Sequence, residues 1–142
     1  MQKIEGATEY NEIVLRHFQS PSNVGVIEEP DGVGEYASDI CGDIIRFYIK
    51  LNGERITDIK FQCFGCVGSI ACSSVLTEII LGKEIETANS IKESDVLKTL
   101  DGFPEEENHC ASLAIRALQQ AIENYLEKGC SNSMRGYHGK DD

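Results

Sequence analysis

The stretch from Phe61 to Thr77, FQCFGCVGSIACSSVLT, constrains the fold most, because a strand-like run breaks there at Gly65-Cys66 and restarts as a helix of small residues. Glycine lets a backbone turn tightly, so Gly65 and Gly68 mark a strand-to-helix corner. Cys66 then stands just before a helix N-terminus, where the dipole favours a thiolate. Thiolate is the form that binds metal and accepts sulfur. A crowded corner that merely needs a small residue explains the same cysteine, so Cys66 alone identifies nothing.

The flanking chain supplies the sheet. Ile45, Phe47, Ile49 and Leu51 alternate with Arg46, Tyr48 and Lys50, the period-2 pattern of a half-buried strand. Asn52-Gly53 is a two-residue hairpin signal. The partner strand runs from about Ile56 to Phe64, with Ile59, Phe61 and Cys63 on one face and Lys60 and Gln62 on the other. A shorter strand is predicted from Val33 to Ala37, after the acidic turn Glu28 to Gly32. The sheet is expected to be a small antiparallel meander with one buried face.

Helices account for the rest. Thr8 is a candidate N-cap for a first helix with Tyr10, Ile13, Val14 and His17/Phe18 on its apolar side, stopped by Ser20-Pro21. The helix after Cys66 runs from about Ser69 to Leu81 with Cys72, Leu76, Ile79 and Ile80 on one face. Short helices are expected near Glu84 to Ala88 and from Lys92 or Glu93 to Leu100. The longest places Cys110, Leu113/Ala114, Ala117/Leu118, Ala121/Ile122 and Tyr125 on one stripe, with Gly129 as its stop. Glu105, Glu106 and Glu107 read as a solvated first turn complementing the dipole. The predicted class is α+β: a three-stranded antiparallel sheet with an N-terminal helix and several C-terminal helices packed on one face. Residues 1–128 form one domain and residues 129–142 a mobile tail.

Six cysteines could staple a secreted fold, but Met1 to Tyr10 is polar and no apolar run is long enough to span a membrane. The expectation is a reducing, cytoplasmic setting, where cysteines are more often metal ligands or reactive thiols. A net charge of -11 argues against nucleic acid and against an anionic membrane surface.

Three local features converge if the long helix packs on the apolar face of the sheet. Cys41-Gly42-Asp43 opens one strand, Cys66 closes its partner, and His109-Cys110 opens the helix. Three sulfurs, an imidazole and a carboxylate would then surround one point. Such a set suits zinc or an iron–sulfur cluster, and the spacing does not choose between them. A thiol–imidazole dyad at His109-Cys110 is harder to build, since helix neighbours point about 100° apart. Asp43 taken alone reads as a strand-edge turn residue. Cys63 forms C-x-x-C with Cys66, yet its place in the Ile59, Phe61, Cys63 alternation reads as a small buried hydrophobe. Cys72 reads as core and Cys130 as a spare thiol.

From about Tyr10 to Tyr125 the chain resembles the IscU/NifU-type iron–sulfur cluster scaffolds. The matching segments are Tyr10-Asn11-Glu12-Ile13-Val14, Pro21-Ser22-Asn23-Val24-Gly25, Cys41-Gly42-Asp43, Phe64-Gly65-Cys66 with Ile70-Ala71-Cys72-Ser73-Ser74, and His109-Cys110. The resemblance implies a scaffold without turnover of its own, which takes persulfide sulfur from a cysteine desulfurase, combines it with iron into a [2Fe-2S] cluster and passes that to acceptor apoproteins. It implies Cys41, Cys66 and Cys110 as thiolate ligands, Asp43 or His109 completing the set, and Cys110 as persulfide acceptor. Zinc is a candidate for the cluster-free form, and a homodimer or homo-oligomer is compatible with it.

Two departures stand out. Relatives served by a dedicated Hsp70-type chaperone carry Leu-Pro-Pro-Val-Lys before the His-Cys pair, whereas this chain has Gly102-Phe103-Pro104-Glu105-Glu106-Glu107. The reversed charge argues against recognition by that chaperone. The zinc-binding, sulfur-relaying SufU group has an insertion between the second and third cysteine segments and a basic residue in place of His109, and this chain has neither. A zinc-dependent sulfurtransferase partner of a desulfurase is nevertheless the alternative reading. Without further cysteine-bearing domains, the chain reads as a stand-alone scaffold domain.

Overall fold

The computed structural model describes residues 10–39 and 42–138, with residue 106 and residues 129–138 described by their backbone. Helix α1 (Glu12–Gln19) is capped by Asn11, whose Oδ1 accepts the Val14 N–H at 2.8 Å. Thr8, the expected cap, lies outside the described residues. Asn11 does more than cap, since its amide nitrogen donates to the carbonyls of Leu100 and Asp101 at 2.8 and 2.7 Å. These carbonyls end helix α4 (Glu93–Leu100), so one side chain serves the orphan groups of two helix termini.

Strands β1 (Gly32–Ala37), β2 (Ile44–Asn52) and β3 (Arg55–Phe64) form the predicted antiparallel meander in the order β1-β2-β3. The turn falls one residue later than expected. Asn52 still pairs with Arg55, so Gly53 and Glu54 make the loop, and a bulge at Lys50/Leu51 absorbs the shift. Gly53 alone of the two has positive φ (66°), as a type II′ turn with glycine in first place requires. In this register Gly34, Phe47 and Phe61 share a rung, as do Gly32, Ile49 and Ile59. That face is the core. The free edge of β3 is covered by the Pro21 to Gly25 loop, where the Phe61 N–H donates to Asn23 and the Gly25 N–H to Phe61, each at 2.9 Å.

Helices α2 (Val67–Ile80), α3 (Ile85–Ala88) and α5 (His109–His138) complete the domain, with a 3-10 turn at Glu105–Glu107. Helix α5 lies on β1 and β2, while α2 packs on β3, α1 and α5. Helix α2 is consequently enclosed nearly all round, and the expected single apolar face understates it. Ser69, Ser73, Ser74 and Thr77 are buried beside Ala71, Cys72, Val75 and Leu76. Buried hydroxyls need partners, and most have them. Ser74 Oγ stands 2.8 Å from His17 Nδ1 and accepts the Ser22 N–H at 2.8 Å, and Thr77 Oγ1 accepts from Asn23 at 2.9 Å.

Helix α5 does not stop at Gly129: its backbone stays helical to His138. A glycine inside a helix costs only about 1 kcal/mol relative to alanine, and no proline follows it. No helix among the described residues is long and apolar enough to cross a membrane.

Candidate metal centre

The last rung of the β2–β3 ladder pairs Ile44 with Phe64. Asp43 precedes the one and Gly65-Cys66 follows the other, so the open end of the hairpin brings carboxylate and thiol together. Cys66 is the N-cap of α2, and its side chain makes no capping bond. Its Sγ lies instead 3.9 Å from Sγ of Cys110, in the first turn of α5. The 3-10 turn adds Glu107, whose Oε1 is 3.8 Å from each sulfur. The ligand atoms of Cys66, Glu107 and Cys110 all lie within 4.8 Å of one another. Behind them, Ser69 Oγ is 3.6 Å from both sulfurs and donates to Asp43 Oδ2 at 2.5 Å. The same carboxylate oxygen accepts the Cys66 N–H at 3.2 Å.

Gly65 and Gly68 serve this centre by absence of side chain, since neither has positive φ. A Cβ on Gly65 would stand 2.6 Å from Asp43 Cγ. One on Gly68 would meet Phe103 Cζ at 2.9 Å, Cys110 Sγ at 3.0 Å and Glu107 Oε1 at 3.3 Å. The tight-turn role expected for these glycines is replaced by close approach.

The two thiols divide one hydrogen bond unequally. The Cys110 thiol beside it lowers Cys66 to about 6, against the opposing effect of burial. Cys110 is pushed up by its hydrogen bond to Cys66 and by burial. The Tyr10 hydroxyl is raised by burial and by the Glu107 carboxylate. The shared hydrogen bond therefore favours the negative charge on Cys66 and the proton on Cys110. Iodoacetamide labelling followed by peptide mass spectrometry should show the Cys66 rate half-maximal near pH 6 and flat above about pH 7.5. Cys110→Ala removes the lowering hydrogen bond and should move that midpoint upward, toward the ordinary thiol value of about 8.5. An unchanged midpoint would show that the shift has another cause.

The remaining expected residues divide. Cys41 lies outside the described residues. Asp43 is buried and reaches the sulfurs through Ser69. His109 is half-buried and lines a cleft with Tyr36, Asp39 and Arg116, outside the Cys66–Glu107–Cys110 group. Cys63 packs partly buried against the core, and Cys72 is fully buried within it. The side chain of Cys130 lies outside the described residues. Glu107, which reads in the sequence as part of a solvated first turn, joins the two sulfurs in the structure. Its one sequence signal is the spacing to Cys110, three residues on and hence on the same side of a helical turn.

The donor set suits a metal. Two thiolates at about 2.3 Å from a tetrahedral ion stand about 3.8 Å apart, close to the 3.9 Å between these sulfurs. Fold and site together define a small α+β domain with a thiolate–carboxylate centre at a strand-to-helix corner. The family model described as NifU-like N terminal domain matches residues 9–132, and the chain belongs to that family. It is 48% identical over 119 residues to the iron-sulfur cluster assembly scaffold protein IscU 1 of Archaeoglobus fulgidus, covering 84% of this chain and 78% of that one. It is 42% identical over 125 residues to the nitrogen fixation protein NifU of a Nostoc species, covering 82% of this chain and 42% of that longer one. A solved structure from Fervidobacterium islandicum, described as a putative iron-sulfur cluster assembly scaffold protein for the SUF system, superimposes with a TM-score of 0.64 at 26% identity, covering 80% of this chain and 96% of that one.

Proposed function

We propose that this chain is a cytoplasmic scaffold, not an enzyme, on which a [2Fe-2S] cluster is built from iron and persulfide sulfur before transfer to apoproteins. The observation that carries the reading is the pair of sulfurs of Cys66 and Cys110 at 3.9 Å, placed beside two carboxylates by segments far apart in sequence. Cys41, Cys66 and Cys110 are the thiolate ligands. Asp43 or His109 completes the set, and Asp43 is already bound to the Ser69 hydroxyl that touches both sulfurs. A carboxylate or imidazole holds iron less firmly than a fourth thiolate, which leaves the cluster open to exchange.

Sulfur arrives from a cysteine desulfurase. Its persulfide gives up the terminal sulfur to Cys110 and leaves as a thiol, and the thiolate of Cys66 is within reach of the Cys110 proton. Cys110 is fully buried, so the chain around it opens for this step. Zinc occupies the same centre in the cluster-free form, and a homodimer or larger assembly is compatible with the reading. A zinc-dependent sulfurtransferase is the second reading, favoured by how well two thiolates and a carboxylate suit zinc.

Anaerobic reconstitution with iron, cysteine and a cysteine desulfurase separates them. The expected result is a sulfide-to-iron charge-transfer spectrum, abolished in Cys41→Ala, Cys66→Ala and Cys110→Ala and kept in Cys63→Ala. A wild-type chain that holds zinc tightly, carries labelled sulfur on a cysteine and forms no cluster would establish the sulfurtransferase instead.

A further inference from the structure

The acidic segment before His109-Cys110 departs from the chaperone-recognition sequence. In the structure it puts a carboxylate among the thiols. Glu107 Oε1 lies 3.8 Å from Cys66 Sγ and 3.8 Å from Cys110 Sγ. An oxygen ligand at about 2.1 Å and a thiolate at about 2.3 Å from one tetrahedral ion stand about 3.6 Å apart. All three edges of this triangle therefore have the size of a tetrahedral face. The place is also kept clear, because a Cβ at Gly68 would come within 3.0 Å of Cys110 Sγ and 3.3 Å of Glu107 Oε1. Tyr10 orients the carboxylate, with its hydroxyl donating to the same Oε1 at 3.3 Å and its ring 6.1 Å from that of Phe103.

We infer that Glu107 is a metal ligand of this centre, which with Cys66 and Cys110 holds a single divalent ion of borderline character such as Fe2+, Zn2+ or Co2+. Such ions accept thiolate and carboxylate together, whereas Mg2+ and Ca2+ prefer all-oxygen sites. Any thiol still protonated releases its proton to the buffer as the ion binds. The inference rests on the reading of the centre as metal-handling. It deepens that reading by adding a carboxylate ligand from a segment where the chaperone-served relatives carry a lysine. Tyr10 acts as a positioning residue.

The test is the affinity of the full-length, reduced, anaerobic chain for Co2+ or Zn2+ alone, measured by competition with a chromophoric chelator. Glu107→Gln keeps shape and removes charge. Loss of a ligand should cost at least as much as loss of an outer-sphere partner, so the variant should bind on the order of 10–100-fold more weakly. The thiolate-to-Co2+ charge-transfer intensity should be retained at saturation, because both sulfurs remain. Glu107→Ala, which also gives up Tyr10, should lose at least as much. Direct ligation survives salt, so the wild-type to variant ratio should persist from about 0.1 to about 1 M ionic strength. Equal affinities, or a ratio that collapses toward one in high salt, would overturn the assignment while leaving the scaffold reading intact. A wild-type chain that binds neither ion and forms no cluster would sink the scaffold reading and this inference with it.

Discussion

Gly34→Ala is expected to destabilise the fold by about 3 kcal/mol or more, at or beyond the upper end of ordinary overpacking. A Cβ there would stand 2.1 Å from the Ala121 nitrogen, 2.5 Å from the Ala117 carbonyl oxygen and 2.6 Å from the Gln120 carbonyl carbon. These are backbone atoms of α5, with no rotamer to yield. The whole helix must lift off β1, or β1 must leave the sheet. Gly32 repeats the contact two residues along, against the Ala121 carbonyl. Gly82→Ala is the control. It faces open space at φ +88°, so it should cost only the roughly 1–2 kcal/mol of a left-handed backbone. Urea unfolding of both variants checks this, and a Gly34→Ala midpoint no lower than that of Gly82→Ala would show that helix and strand do not approach so closely. The site should feel the same change, since α5 carries Cys110: cluster yield should fall in Gly34→Ala and hold in Gly82→Ala.

A contact of this kind leaves no pattern in the order of residues along the chain. The sheet is legible because Ile45 to Leu51 and Ile56 to Phe64 alternate around a glycine turn, and α5 because its apolar stripe repeats at helical spacing. Gly32 and Gly34 show no such pattern. They are two glycines in a short strand, and their purpose lies on Ala117 and Ala121, more than 80 residues away. Asn11 is hidden in the sequence for a similar reason, because half its role is to bind the carbonyls that end α4. Ser74 and Thr77 of α2 lie off the apolar face that Cys72, Leu76, Ile79 and Ile80 mark, yet both are interior, where they meet His17 and the Pro21 to Gly25 loop.

The site shows the same division. Cys66 and Cys110 are legible because a strand end and a helix start place them, and those two points meet when the helix packs on the sheet. Glu107 was hidden by its neighbours. Three glutamates at a helix start satisfy the dipole argument completely, so nothing local separates the one that turns toward the sulfurs. Tyr10 shared that fate, counted as part of an apolar stripe while its hydroxyl holds Glu107.

Gly65→Ala should break the centre from behind, and the structure specifies how. The new Cβ would lie 2.6 Å from Asp43 Cγ and 2.7 Å from Oδ2, so the carboxylate must swing away. It would then give up the Ser69 hydroxyl and the Cys66 N–H. Asp43 is only 7% exposed, and a hydrogen bond to a charged group is worth about 1.5–3 kcal/mol. Two such bonds set an upper bound of about 6 kcal/mol, and a carboxylate that swings away and regains some solvation should leave a cost of about 2–4 kcal/mol. Asp43→Ala should be destabilising by a comparable amount for the same lost bonds. The double variant, however, has no carboxylate to displace and only the 3.0 Å approach to Asp43 Cβ to relieve. Denaturant unfolding of the four chains should consequently give a coupling energy of about 1–3 kcal/mol in favour of the pair. Additive costs would mean that Gly65 and Asp43 do not meet, and that the carboxylate behind the sulfurs is held by something other than the room this glycine leaves.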